Sequence, residues 1–202
     1  MTCCGLLKPF LLGGNTLKPW QHFRTITHHR HLVMLECFRV GLFWQGLTHD
    51  LSKYSPTEFL VGAKYYLGNR SPNWAERNEK GYSSAWLHHK GRNRHHFEYW
   101  FDVIPGTSTY VPLPMPRRYL VEMIMDRIAA CKTYNGKQYH DGAPLEYHLR
   151  AKEDINLHPQ TKKELEYLLT YLRDHGEKET MQLIRKKVLP GKNFLPDQPS
   201  NE

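Results

Sequence analysis

The chain has 202 residues, 40% of them hydrophobic and 12% aromatic, which supports one packed domain and excludes a disordered polar chain. Its 28 Lys and Arg against 20 Asp and Glu give a formal charge of +8, which suits an anionic partner. Its four cysteines, Cys3, Cys4, Cys37 and Cys131, lack Cys-x-x-Cys spacing, which excludes a cysteine zinc ribbon and fits a reducing cytoplasm.

Residues 1–21 are punctuated by Gly and Pro and read as a poorly ordered N-terminal extension. No apolar run approaches membrane-spanning length, so no membrane partner is expected. Over residues 27–40 the apolar positions Leu32, Val33, Cys37 and Val40 recur at helical steps, and Gly41 closes the helix. Residues 42–51 form a short second helix that ends in His49-Asp50. Ser55-Pro56-Thr57-Glu58 reads as a capping box, with Phe59, Ala63, Tyr66 and Leu67 on one face of the helix it opens.

Residues 69–82 read as a polar loop or frayed helix, and residues 102–117, rich in Pro, as a loop with room for a short extended stretch. Pro116 opens a strong helix carrying Leu120, Met123, Ile124, Ile128 and Cys131, closed by Gly136. Residues 137–160 read as helical pieces. Thr161-Lys162-Lys163-Glu164 reads as a second capping box, followed by Leu165, Leu168, Leu169 and Leu172 up to Gly176. Cys37 and Cys131 fall on apolar stripes and are expected to be buried thiols. The period is helical nearly throughout. The expectation is an all-α helical bundle over residues 22–175, with a basic C-terminal helix and tail over 176–202.

Histidine is the unusual residue. There are 13, and nine lie between His22 and His96. His49-Asp50 is a pair of metal-binding type, weak by itself. His29 stands one turn before Leu32 and Val33 on the apolar stripe, though His28 and His31 compete for that role by spacing. Asp126 sits against Met123, Ala129 and Ala130, where a carboxylate is costly unless paired or bound to a cation. The block His88-His89-Lys90-Gly91-Arg92-Asn93-Arg94-His95-His96 adds four histidines and three cations suited to phosphate oxygens.

The order His … His-Asp … Asp on separate helices resembles the HD superfamily of metal-dependent phosphohydrolases. That resemblance implies an HD-like bundle with a divalent metal held by His29, His49, Asp50 and Asp126. Its multi-metal members imply a second metal, or substrate phosphate, at His88, His89, His95 and His96. A longer resemblance covers Trp44 through Phe59, Gly81-Tyr82-Ser83 and Ala85 through His96. It is to an uncharacterised family of bacterial and phage proteins, whose histidine before a Glu-Cys pair corresponds to His29, seven residues before Glu36.

A mixed nitrogen and oxygen site suits Mn, Fe, Co, Ni or Zn. The expected activity is hydrolysis of a phosphoester in a phosphorylated small molecule or nucleotide by a metal-activated water. Asp50 would orient the water, and Lys53, Arg92 or a histidine of the block would neutralise phosphoryl charge. A nucleic-acid-binding or nuclease module is the first alternative, since Arg and Lys interleave with Trp86, Tyr99 and Trp100. A metal that only staples the bundle is another, and an iron-dependent oxygenase with the same ligands a third.

Overall fold

The computed structural model describes residues 17–150 and 155–196, so the expectation for residues 1–16, with Cys3 and Cys4, lies outside them. Eight α-helices carry the architecture: α1 (Pro19–Val40), α2 (Phe43–Thr48), α3 (Pro56–Lys64), α4 (Pro72–Lys80), α5 (Ser84–Lys90), α6 (Arg117–Asn135), α7 (Ala143–Arg150) and α8 (Pro159–Leu183). Two three-residue strands, β1 (Phe101–Val103) and β2 (Tyr110–Pro112), pair antiparallel with Asp102 opposite Val111. Among the described residues the fold is thus all-α with one small hairpin, which falls in the Pro-rich stretch between the histidine block and α6.

Helix α6 is the central post. Leu120, Val121, Ile124, Met125 and Ile128 along it are fully buried. It packs against α1, α7 and α8. From the far side come Leu165, Leu168, Leu169 and Leu172 of α8, all fully buried. Met181, Ile184, Val188 and Phe194 join the same core. Within residues 177–196 these side chains pack into the bundle, and the rest of the expected tail lies outside the described residues. Gly176 breaks the helical path (φ 78°, ψ 171°), as its position at the end of the leucine stripe suggested.

Helix α1 begins at Pro19, where the ring suits the first helical position, so Pro19, Trp20 and Gln21 belong to the folded unit and not to an extension. It ends at Gly41 in the left-handed region (φ 87°), with Leu42 N–H donating to the Cys37 carbonyl at 2.9 Å. That turn folds α2 back along α1. At the crossing, a Cβ on Gly46 would stand 3.0 Å from Cys37 Cβ, so glycine lets the two backbones close. His49, at the end of α2, is thereby delivered beside α1.

Neither capping box forms. Ser55 is the N-cap of α3 by backbone, but its hydroxyl makes no capping bond and Glu58 turns elsewhere. Helix α8 starts at Pro159 with His158 as its cap, because a proline at the first helical position is a stronger signal than Thr161. The buried Thr161 hydroxyl instead accepts the Met115 N–H at 2.9 Å. Residues 72–80 form a complete helix, α4, capped at its end by Gly81. Cys37 is buried, but Cys131 is only half-buried.

Core packing at Ile124 predicts that Ile124→Ala lowers unfolding free energy by about 2–5 kcal/mol in urea titration. Leu60→Ala, at a side chain 60% exposed, should change it by less than about 0.5 kcal/mol. Equal losses would place the core elsewhere.

Candidate metal centre

Asp50 sits at the focus of the histidines. Its carboxylate is 1% exposed, and it is the one non-glycine among the described residues with positive φ, at 53°. Aspartate tolerates the left-handed region better than most residues. The conformation lets the chain leave α2 and enter the short 3₁₀ turn Leu51–Tyr54 while turning this side chain inward.

Four elements converge on it. His29 from α1 places Nε2 2.9 Å from Asp126 Oδ1 of α6. His49 Nε2 lies 3.4 Å from Asp50 Oδ2 and 3.6 Å from Asp126 Oδ1. On the other side, His89 of α5 places Nε2 3.2 Å from Asp50 Oδ1, and His95 places Nε2 3.5 Å from the same oxygen. His96 packs tilted beside them, with ring centroids 4.1 Å from His95 and 4.8 Å from His89. Lys53 Nζ closes on Asp50 Oδ2 at 2.6 Å.

Three groups of donors cluster here among the described residues, a three-residue one, His49–His95–Glu122, and two four-residue ligand sets. In each of His29–His49–Asp50–Asp126 and Asp50–His89–His95–His96, one donor atom per residue falls within 4.8 Å of all the others. Asp50 belongs to both. The buried atoms His49 Nε2, Asp50 Oδ1, His95 Nε2 and His96 Nε2 have no hydrogen-bond partner. Buried polar atoms are rarely left so, and one carboxylate oxygen together with three imidazole nitrogens suits a cation.

The opposite nitrogens are held. Glu122, one turn before Asp126, offers Oε1 to His49 Nδ1 at 3.0 Å and lies 3.3 Å from His95 Nδ1. A single carboxylate oxygen thus serves one histidine from each set. Glu58 accepts from His89 Nδ1 at 2.8 Å and from His88 Nδ1 at 2.6 Å. Such bonds fix the tautomer that leaves Nε2 free for a metal.

Charge balance follows. Burial alone would raise the Asp50 carboxyl, but His49, Lys53 and His89 hold it well below the usual carboxylate range. Burial likewise opposes ionisation of Asp126, and the neighbouring His29 and His49 hold its carboxyl well below the usual range. For His49 burial works against the charged ring, yet Asp50 and Asp126 carry its pKa well above the ordinary value. His96, buried beside His95 and His89, is pushed well below it.

The structure therefore brings together His29, His49, Asp50, Asp126, Lys53, His89, His95 and His96. His88 is turned to Glu58, outside both sets. Arg92 is exposed, bonded to the His88 carbonyl at 3.3 Å. His28 and His31 face solvent. Sequence reasoning assigned Glu58 to a cap and passed over Glu122, although its place four residues before Asp126 puts both carboxylates on one helix face. A cleft of about 330 Å³ opens over the Glu122 side of the cluster, with His49, His95 and Glu122 at its floor.

The chain belongs to a family of unknown function (DUF5662), whose model matches residues 18–171. No curated protein and no solved structure matches the chain. None of its described helices is long and apolar enough to cross a membrane.

The Nδ1 bonds predict that Glu122→Ala weakens Mn²⁺ binding about 10–100-fold for both sets, and Glu58→Ala for the His89 set alone. Calorimetric titration of each variant checks this. A wild-type isotherm for Glu122→Ala would contradict it. Because Asp50 and Asp126 favour the protonated His49 ring and a bound metal must displace that proton, affinity should fall as pH is lowered. An affinity independent of pH would show that no ligand histidine is protonated in the metal-free protein.

Proposed function

We propose that this chain is a metal-dependent phosphohydrolase of HD-like type, with two divalent ions sharing Asp50. The observation that carries the reading is the set of four buried atoms that make no hydrogen bond and lie among the donors of two four-residue groups. The residues present fit such ions in kind and number: imidazole nitrogens and carboxylate oxygens suit Mn, Fe, Co, Ni or Zn.

His29, His49, Asp50 and Asp126 would hold one ion, and Asp50, His89, His95 and His96 the other. When bound, the metal supplies Lewis acidity and a water ionisable near neutral pH. The protein does the rest. Glu122 and Glu58 keep the histidine rings oriented. Lys53 stands 2.6 Å from Asp50, where its ammonium can meet negative charge growing on phosphoryl oxygens. Partial exposure of Lys53 and Asp126, 28% and 20% at the side chain, supports an open position over a closed structural site.

Protein loaded with Mn²⁺ should hydrolyse p-nitrophenyl phosphate or its diester, and chelation should abolish turnover. Lys53→Met should lower kcat about 10²-fold or more while leaving metal content intact. A fully loaded protein inactive on monoesters, diesters and nucleotides would overturn the hydrolase reading. Salt-sensitive DNA binding by such a protein would favour the nucleic-acid module instead.

A further inference from the structure

Three arginines stand around the mouth of the cleft over Glu122: Arg92, Arg94 and Arg118. None forms an ion pair among the described residues. Each is placed by neutral groups. Arg94 donates to the Tyr119 hydroxyl at 3.2 Å and lies 5.7 Å from the Tyr99 ring centroid. Arg118 lies 5.9 Å from the centroid of Tyr119, and Arg92 donates to the His88 carbonyl. The single carboxylate in the lining, Glu122, is already engaged by His49 and His95.

Three guanidiniums lining one cleft whose single carboxylate is already engaged repel one another, and an anion would relieve that. A second, independent observation lies in the wall. Gln45 is 7% exposed, lines the same cleft, and its side-chain Nε2 has no hydrogen-bond partner. A buried amide donor left open at the edge of a cationic cleft is a place for an acceptor oxygen. The cleft's volume, about 330 Å³, fits a small molecule and not a duplex.

We propose that this cleft is a binding site for a small polyanion of the di- or triphosphate class, read by Arg92, Arg94, Arg118 and the Gln45 amide. The site needs no metal. It rests on the phosphohydrolase reading only for what becomes of the ligand, since His49 and His95 belong both to the cleft lining and to the ligand sets.

The test is calorimetric titration of the full chain, stripped of metal by chelator, with inorganic tripolyphosphate and with inorganic phosphate. Tripolyphosphate should bind at least about tenfold tighter than phosphate, and more weakly as salt rises. Arg94→Gln with Arg118→Gln should weaken it at least about tenfold, and Gln45→Leu should weaken it measurably. Arg70→Gln with Lys178→Gln removes the same charge from exposed positions outside the cleft and should leave affinity unchanged. Equal affinity for the two anions, or equal losses in the two double variants, would overturn the proposal. Loss of phosphoester turnover with tripolyphosphate binding intact would count against the hydrolase reading alone.

Discussion

A buried carboxylate with nowhere to send its charge organises this protein. Asp50 is 1% exposed, and an isolated ionised carboxylate there would be prohibitively costly. The fold answers with cationic and polar groups from separate elements: Lys53 from the turn that follows, His49 from α2, His89 from α5, His95 from the loop after it. The left-handed backbone at Asp50 belongs to the same arrangement. Strain of this kind is held where surrounding structure over-determines it, and that is most often at a functional site.

Outside that ring stands a second layer of carboxylates, and it explains how the histidines are aimed. Glu122 on α6 and Glu58 on α3 take the Nδ1 atoms, so the Nε2 atoms face Asp50. Behind α5 the fully buried Glu76 accepts from the Ser83 and Ser84 hydroxyls, both at 2.7 Å, and anchors the start of the helix that carries His89. Polar burial of this extent stabilises only when every member is satisfied. Here four of the unsatisfied atoms, His49 Nε2, Asp50 Oδ1, His95 Nε2 and His96 Nε2, belong to the two ligand sets.

Much of this was legible in the residues. The apolar stripe of α6, its Pro116 and Gly136 limits and the leucine run of α8 follow from helical spacing. His29, His49, Asp50 and Asp126 emerge from their order along the chain and a family resemblance, and the fold gathers them into one cluster. What escaped has physical causes. Helix α4 is polar, with Glu76 inward and Trp74 44% exposed, so it lacks the stripe that announces a helix. Glu58 satisfies a local capping pattern as well as a distant histidine pair, and tertiary bonds decided between them. Glu122 lies beside Met123 with no local sign of a partner, because its partners are 73 and 27 residues away in sequence. His88 and His89 are adjacent and alike in sequence, and only the direction of α5 distinguishes the ligand from its neighbour.

The most direct test of the account is a crystal structure of the full chain grown with Mn²⁺, with anomalous scattering recorded at a wavelength where manganese contributes. The account predicts two anomalous peaks, one on each side of Asp50, bounded by His29, His49 and Asp126 and by His89, His95 and His96. A single peak held by His49, His95 and Glu122, or none at saturating Mn²⁺, would contradict it.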